Sequence, residues 1–325
     1  MKKQTKAEEK RTTPEKVFSR MPKKTEEIKV SIVVLSWNTK NLLKGCLESL
    51  PPFGEVIVVD NGSTDGSLEY LKKLVADTNQ PLNIKLIENK ENLGFSRGNN
   101  SGIKQASGQY ILLLNSDTIV TTGAIERLVE YLNKNENTAV SPLLELQSGQ
   151  PQLDYYMRFP TLWQIFFYHN PLLRPIIMKT PLKNLICQEA KQEPFEVDQL
   201  PGAALMASRE VWQKVGSLDP DFRFFWEDVD WSWRARKMKV RLLVVPEAKI
   251  VHLGGASWKN KLDKNKNALY QQFFASMLLF VKKNYSSNRL KVFKMAIAVN
   301  FLLTGKLKLF FNLLRGKFAQ GELWK

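Results

Sequence analysis

The 325-residue chain is long enough for one large α/β domain or two smaller ones. Its apolar fraction of 43% is ordinary for a globular protein, whereas its formal net charge of +16 is high. Residues 1–27 carry +4 and residues 282–325 carry +9, so the long middle carries only +3. A nucleic-acid-binding domain has its basic face on the folded body, so this distribution argues against nucleic acid as a partner. It indicates instead an anionic membrane surface or nonspecific contact with polyanions.

The cysteines and the N-terminal residues indicate a reducing cytoplasm. Two cysteines, Cys46 and Cys187, do not imply a disulfide framework or a cysteine-based zinc site, and Cys46 fits a buried helical pattern. Residues 1–27 are charged and lack an apolar run, so we expect a disordered basic tail rather than a secretory signal. No stretch of about 18–20 uninterrupted apolar residues occurs, so we expect no transmembrane helix.

The first half of the chain alternates buried strands with helices. The predicted strands are Ile28–Ser36, Glu55–Val59, Asn83–Ile87 and Tyr110–Leu114. A helix is predicted after each strand. The first has apolar positions from Leu42 to Leu50 at helical spacing, and the second has Leu68, Leu71, Leu74 and Val75 on one face. The third begins near Arg97, and the fourth is amphipathic over Thr122–Asn135. This order is typical of a doubly wound parallel sheet. Neither a G-x-G-x-x-G motif after the first strand nor a P-loop motif is present, which argues against a dinucleotide fold and a P-loop nucleotidase.

Polar turns follow three of these strands. They are Trp37-Asn38, Asp60 to Ser63, and Asn115-Ser116-Asp117. Ligands of doubly wound sheets bind at the carboxyl ends of the strands, so we expect these turns to line one crevice.

The second half of the chain is less regular. Residues 142–199 mix aromatic residues with prolines, and two interpretations stay open: an acceptor-binding or membrane-facing insertion, or ordinary core under a long loop. Beyond them, Pro201 to Met206 is typical of a strand packed close to a ligand or another backbone. A short helix is predicted over Ser208–Val215, and two strands over Val240–Val245 and Ala248–His252.

The C-terminal region has the pattern of basic, apolar helices. Lys264–Tyr285 predicts one helix, and Leu290–Phe318 alternates basic and apolar residues as an interfacial helix pair does. The alternative is a helical subdomain that packs on the main domain or on a partner chain. The positive charge favours the membrane surface.

A dense acidic and aromatic stretch runs from Phe224 to Arg236. Three carboxylates, Glu227, Asp228 and Asp230, lie within four residues next to Trp226. An acidic pair beside an indole can have its two pKa values pushed apart, which suits a general base. The same stretch also fits the N-terminal turn of an ordinary helix, whose dipole favours acidic residues there.

Seven segments in order carry a family resemblance that covers roughly residues 29–257. The segments are Ser31–Asn38, Val58–Ser67, Asn92–Ile103, Leu114–Thr118, Pro201–Ala203, Trp226–Asp230 and Pro246–His252. The chain resembles the GT-A-fold inverting glycosyltransferases of family 2, and among them the rhamnosyltransferase-like branch of bacterial cell-surface polysaccharide synthesis. The resemblance implies an α/β GT-A domain with a mixed, Rossmann-like sheet at residues 28–262. A basic, amphipathic and membrane-associating helical region would follow at 263–325.

The resemblance also implies a divalent metal, Mg²⁺ or Mn²⁺, bound near the diphosphate of a sugar nucleotide. Asp117 and His252 would be its protein ligands. The Asp-x-Asp motif of the family reads Asn115-Ser116-Asp117 here, so its first acid is missing. Asn115 would contact the ribose or a metal-bound water.

The other expected roles are nucleotide binding and catalysis. Asp60 would bind the pyrimidine base, with Ser36 and Asn38 nearby. The alternative is that Asp60 only makes an Asx turn with Gly62, and the two roles are compatible. Arg97 would contact the nucleotide or its phosphates.

On the acceptor side, the resemblance implies that Asp228 is the general base and that Glu227 orients acceptor or donor. Trp226 would stack on a sugar or belong to the core, and Asp230 would cap the helix or pair with Arg234.

The sequence therefore predicts an inverting glycosyltransferase at the cytoplasmic face of a bacterial plasma membrane. The expected reaction moves L-rhamnose from dTDP-rhamnose to a lipid-linked or polysaccharide acceptor. Alternative donors are UDP-galactofuranose, UDP-glucose and UDP-N-acetylhexosamine, and homo-oligomers are possible. Two other classes stay open: a non-catalytic nucleotide-sugar-binding homologue, and a basic nucleic-acid binder, which the charge distribution disfavours.

Overall fold

The structure is a computed structural model that describes residues 30–52, 54–253 and 266–318. The predicted disordered tail at 1–27 lies outside the described residues. The strands are β1 (Val30–Ser36), β2 (Glu55–Asp60), β3 (Ile84–Glu88), β4 (Tyr110–Asn115), β5 (Thr118–Val120), β6 (Thr138–Glu145), β7 (Phe195–Glu196), β8 (Ala204–Ser208) and β9 (Arg241–His252). The helices are α1 (Lys40–Glu48), α2 (Ser67–Ala76), α3 (Phe95–Gln105), α4 (Ala124–Lys134), α5 (Arg174–Ile177), α6 (Arg209–Val215), α7 (Glu227–Lys237), α8 (Lys266–Asn284), α9 (Ser287–Leu303) and α10 (Leu307–Leu314).

The strands form one mixed sheet in the order β3-β2-β1-β4-β8-β6-β9-β5, with β7 paired to β9. Strands β3, β2, β1 and β4 are parallel, which confirms the doubly wound half that the sequence predicts. Strand β8 then runs antiparallel to both β4 and β6, and β5 runs antiparallel to β9. This mixed sheet, followed by C-terminal helices, confirms the predicted fold class.

Helices cover both faces of the sheet, so strands β1, β2 and β4 are buried almost throughout. Helices α1, α2 and α4 pack on one face, where Cys46 is buried as expected and its burial raises the thiol pKa to about 12. Helices α3, α6 and α7 pack on the other. Helix α3 lies very close to β1, because a Cβ at Gly98 or Gly102 would come within 2.5 Å of Leu35 or Val33.

The structure corrects two strand predictions. Strand β6 (Thr138–Glu145) was not predicted, and it extends past residue 142, where the irregular region was expected to begin. The two strands predicted at 240–252 are one continuous strand, β9. Its pairing register with β6 shifts after Val245, so Pro246 lies in a bulge, where its missing N–H breaks no ladder bond.

Residues 146–199 form short turns rather than a structureless loop. A 3₁₀ turn (Leu153–Tyr155), a π-helical turn (Gln164–Tyr168), α5 and a second 3₁₀ turn (Pro181–Leu185) follow one another. Phe159 and Ile165 of this segment share a core with Trp226 of the main domain and Phe274 of α8. The irregular segment and the C-terminal helices therefore pack against the start of α7.

Candidate active site

A crevice opens at the carboxyl ends of β1 and β4, next to the beginning of α7. It is lined by residues of all three predicted polar turns, by the acidic pair Glu227 and Asp228, and by His252 at the end of β9. The side chains that matter chemically are Thr39, Asn61, Asn92, Asn115, Asp117, Tyr155, Glu227, Asp228 and His252. The crevice has the place that ligands take in doubly wound sheets.

Asp117 and His252 lie side by side on the floor of this crevice. Both are about 1% exposed, and His252 Nε2 is 3.3 Å from Asp117 Oδ1. The antiparallel pairing of β5 with β9 produces this contact, because it sets Thr118 opposite His252. The backbone also joins them, since Leu253 N donates to Asp117 O at 2.9 Å.

The amide of Gln152 fixes the orientation of the His252 ring. Gln152 Nε2 donates to the His252 carbonyl at 2.6 Å, so Gln152 Oε1 faces His252 Nδ1 at 2.9 Å. An amide oxygen only accepts, so Nδ1 carries the proton in this contact. In the neutral imidazole the lone pair is then on Nε2, which points at Asp117. A buried nitrogen lone pair and a carboxylate oxygen facing each other form a pair of ligands for a cation.

The acidic pair at the start of α7 divides into two different environments. Asp228 is half-buried in the crevice wall; its Oδ2 accepts from Gly202 N and its Oδ1 from Val229 N, both at 2.8 Å. Burial raises the pKa of Asp228 above its usual value. Glu227 is only 5% exposed, and burial followed by the charge of Asp228 raises its pKa much further. Asp228 therefore ionises before Glu227, which stays protonated longer.

Two strained residues set the direction of α7. Phe225 and Trp226 have φ values of 65° and 73°, a conformation that costs a non-glycine residue about 1–2 kcal/mol. Helix α8 supports this turn: Gln272 Nε2 and Ser276 Oγ donate to the carbonyl of Phe224 at 3.1 and 3.0 Å. The C-terminal helices thus help to hold the acidic pair in the crevice.

The residues expected at the nucleotide base lie at the side of the crevice, next to the loop after β2. Asp60 is fully buried; its Oδ1 accepts from Ser63 N at 3.0 Å, and its buried Oδ2 has no hydrogen-bond partner among the residues described. Asn38 has a φ of 54° and accepts from Thr64 N at 2.7 Å, so it braces the same loop. Ser36 is buried behind Thr39 in a chain of hydroxyls that ends at Ser116.

Three further predicted residues lie in different places. Asn115 lines the crevice, and its backbone N–H donates to Ala203 O at 2.9 Å. Arg97 lies outside it, in a neighbouring cleft with Arg223 that meets the crevice at Asn92. Trp226 packs in the core against Phe273 and Phe280 with ring centroids 5.5 and 5.7 Å apart. The core alternative for Trp226 therefore describes its main contacts.

Sequence reasoning gave no individual role to four residues that complete the site. Gln152 and Tyr155 come from the region without an assigned structure, and nothing in their spacing marks them. Asn61 ties Asn92, Asn89 and the backbone of Leu93 to the end of β2 through its side-chain amide. Gly202 donates its backbone N–H to Asp228 Oδ2 at 2.8 Å.

Comparison with known proteins shows which family and which fold the chain resembles. Residues 31–186 match the sequence profile described as Glycosyl transferase family 2. This match covers a little under half of the chain and makes residues 31–186 similar to that family. It is 30% identical over 210 residues to a putative polypeptide N-acetylgalactosaminyltransferase of Drosophila melanogaster, covering 61% of this chain and 36% of that protein. It is 29% identical over 162 residues to an uncharacterized glycosyltransferase of Haemophilus influenzae, covering 48% and 49%. The chain thus spans half or less of the length of these two relatives.

Solved structures confirm the GT-A fold. GalNAc-T7, solved with UDP, GalNAc and Mn²⁺, superposes with a TM-score of 0.55 at 18% identity over 86% of this chain and 58% of that one. A mannosyltransferase from Pyrobaculum calidifontis, solved with GDP-Man and Mn²⁺, gives a TM-score of 0.54 at 15% identity over 90% and 76%.

Proposed function

We propose that this protein is a metal-dependent, inverting glycosyltransferase that uses a nucleotide sugar. The observation that carries the proposal is the meeting of two groups at one crevice: the facing pair Asp117–His252 and the carboxylate of Asp228, with the buried Asp60 next to the lining residue Asn61. They belong to elements far apart in sequence, and the sheet brings them to one end.

Asp117 and His252 fit a divalent cation as its protein ligands. The fixed tautomer of His252 provides a nitrogen lone pair, and Asp117 provides a hard oxygen, a set that suits Mg²⁺ or Mn²⁺. Over the described ranges no group of three or more His, Cys, Asp or Glu side chains forms a metal site. The donor diphosphate would then complete the coordination. A bound cation would stabilise the negative charge of the leaving diphosphate.

Asp228 is positioned to accept the proton of the acceptor hydroxyl. Its two hydrogen bonds from backbone N–H groups hold the carboxylate in place while leaving it partly exposed. The raised pKa makes it a stronger base than a solvated aspartate. Glu227, buried and more difficult to ionise, would donate a hydrogen bond instead.

The nucleotide and sugar are assigned from the family resemblance and the site together. The unpartnered oxygen of Asp60 and the amides around Asn61 would read the base and ribose. The donor that we propose is dTDP-L-rhamnose, with UDP-sugars as alternatives, and the acceptor is lipid-linked or a polysaccharide.

A panel of dTDP- and UDP-sugars with Mn²⁺ tests the function directly. Release of the nucleoside diphosphate in the presence of metal, abolished by Asp117→Ala, is the expected result. The anomeric configuration of the transferred sugar, read by proton NMR, tests inversion, and a retained configuration would remove the base role of Asp228. Metal-dependent donor binding without any turnover would instead support a non-catalytic homologue.

We also propose that α9 and α10 lie on an anionic membrane, on the cytoplasmic side of the plasma membrane. Helix α9 exposes Met295, Val299 and Leu302 at helical spacing, and α10 exposes Leu307, Phe311 and Leu314. Seven basic residues accompany these two helices: Arg289, Lys291, Lys294, Lys306, Lys308, Arg315 and Lys317. A basic helix with an exposed apolar stripe is typical of interfacial binding. In the part of the chain that the structure describes, no helix is long and apolar enough to cross a bilayer.

Liposome sedimentation tests this surface. Phosphatidylglycerol vesicles should bind the wild-type chain and release it at high salt, whereas Met295→Ser with Phe311→Ser should bind weakly. Equal binding to neutral vesicles, or no effect of the substitutions, would contradict the proposal.

A further inference from the structure

One apolar surface of the chain has no role in the function proposed above. It lies in the irregular segment 155–188, on two short helical turns that pack against each other. The first turn begins at Asn170 and continues through α5, and the second is the 3₁₀ turn Pro181–Leu185. Ile177 and Ile186 are buried on the inner side of these turns, so the opposite side faces outward.

The outward side of the two turns consists of large aliphatic side chains. Leu172 and Ile176, one helical turn apart, are 69% and 61% exposed. Leu182 and Leu185, at 3₁₀ spacing, are 46% and 42% exposed. We call these four side chains the outer patch. Single exposed aliphatic residues are common in proteins, whereas four on adjacent turns form a patch of the kind that marks an interaction surface.

The charge around the outer patch indicates the kind of partner that it fits. Residues 155–188 contain no Asp or Glu. Their basic residues are Arg158, Arg174, Lys179 and Lys183. Residues 266–318, which include α9 and α10, also contain no Asp or Glu. Two neighbouring segments that carry only positive charge attract an anionic surface.

Two of these cations form ion pairs with acids just outside the segment. Arg174 Nη2 is 2.7 Å from Asp154 Oδ2, and Lys183 Nζ is 2.9 Å from Glu189 Oε1. Both pairs are partly exposed to solvent, and pairs of this kind contribute little free energy. Lipid phosphates can therefore compete for both cations, and Lys179 is exposed beside them.

The outer patch adjoins the exposed apolar stripe of α9. The π-helical turn that precedes the patch packs against α9. Asn300 Nδ2 of α9 donates to the carbonyl of His169 at 3.5 Å. His169 comes directly before the first turn of the patch, and Asn300 follows the exposed Val299. The two apolar surfaces therefore lie next to each other in the fold.

We propose that the outer patch is a second lipid-contacting surface, which docks on the same anionic bilayer as α9 and α10. The inference goes beyond glycosyl transfer, and of the interpretations that the sequence left open for residues 142–199 it selects the membrane-facing insertion. The aliphatic side chains enter the boundary between headgroups and acyl chains to a depth of about 5–10 Å, while the cations meet lipid phosphates. A second copy of the chain on this patch would set like charges against each other, which disfavours self-association there.

Fluorescent labels on single introduced cysteines locate the outer patch relative to the bilayer. Ile176→Cys and Leu303→Cys carry a nitrobenzoxadiazole label on the patch and on α9. Val75→Cys is the control, since Val75 is 44% exposed on α2, on the opposite face of the sheet from α7. The two native cysteines are buried, so the label attaches to the introduced thiol. Phosphatidylglycerol vesicles with doxyl-labelled acyl chains should quench the label at positions 176 and 303 and not at position 75.

Vesicle sedimentation measures how much the patch contributes to binding. Leu172→Ser with Ile176→Ser removes the two most exposed side chains of the patch and should weaken binding to phosphatidylglycerol vesicles about tenfold. Val75→Ser should bind as the wild type does. Equal binding by all three proteins would overturn the inference.

The labels separate this inference from the other proposals. Quenching at position 303 without quenching at 176 would overturn it and leave the surface of α9 and α10 in place, whereas no quenching at either position would overturn both. An apolar environment of the label at 176 before vesicles are added would mean that another segment or a second copy covers the patch, and would also overturn the inference. Failure of the donor assay alone would instead count against the proposed glycosyltransferase function.

Discussion

Gln152 offers the sharpest test of the metal pair, because it contacts His252 and is not among the residues that line the crevice. Replacing it by methionine keeps the length of the side chain and removes both hydrogen bonds to His252, at 2.6 and 2.9 Å. The ring of His252 then loses the contact that fixes its tautomer. We expect the Gln152→Met protein to fold and to bind a divalent cation poorly.

The size of the effect follows from the burial of these groups. Loss of a hydrogen-bonding residue behind a metal ligand typically weakens metal affinity or activity 10–100-fold, roughly 1.4–2.7 kcal/mol. The free energy of unfolding should fall by about 2–4 kcal/mol, since two bonds are lost and the buried carbonyl of His252 is left unpaired.

The assay is Mn²⁺ titration by electron paramagnetic resonance in the presence of UDP or dTDP, with thermal melts beside it. Gln188→Met is the control, because Gln188 also makes two hydrogen bonds, to Glu196 O and from Asp198 N at 2.9 and 2.8 Å. It should lose stability without losing Mn²⁺ affinity. Unchanged Mn²⁺ affinity in Gln152→Met would refute the idea that this amide prepares His252 as a ligand.

Three further predictions concern the carboxylates. Asp228→Asn should lower kcat by about 10²–10⁴ with little change in donor affinity, and the wild-type rate should fall at acid pH through a pKa above 3.8, because the base must be ionised; a rate profile without an acid limb would contradict this. Burial raises the pKa of Glu227 in the folded protein, so Glu227 binds more protons in the folded than in the unfolded state. The free energy of unfolding therefore falls as the pH rises above 4.5. Glu227→Gln should be more stable than the wild type in thermal melts at pH 8, and equal stability would count against the burial of this carboxyl. Burial raises the pKa of Glu55, but hydrogen bonds from Lys85, Ser31 and Ser107 outweigh it and lower the pKa to about 2. Its stabilisation is present above pH 4.5 and lost towards pH 2, so Glu55→Gln should cost roughly 3 kcal/mol at pH 7 in urea unfolding and little at pH 2.

The attachment of the C-terminal helices connects the proposed membrane surface with the acidic pair. Helix α8, which precedes α9 and α10, holds the carbonyl of Phe224 just ahead of Glu227 and Asp228.

The sequence by itself determined the parallel half of the fold and the order of its motifs. Runs of β-branched residues such as Ile32 to Val34 and Val56 to Val59 must be buried on both faces, and this local pattern is sufficient to place strands. Asp230 was also predictable, because its partner Arg234 lies one helical turn away, and the structure shows the pair at 2.8 Å.

Only the tertiary structure decided which side chains meet. Asp117 faces His252 because β5 pairs with β9, and Gln152 reaches His252 from a segment whose sequence has no periodic pattern. From the sequence, Trp226 could stack on a sugar or belong to the core. In the structure it packs against α8, in a core that it shares with Phe280. Long-range strand pairing therefore decided which functional side chains meet, whereas local periodicity decided where the strands and helices lie.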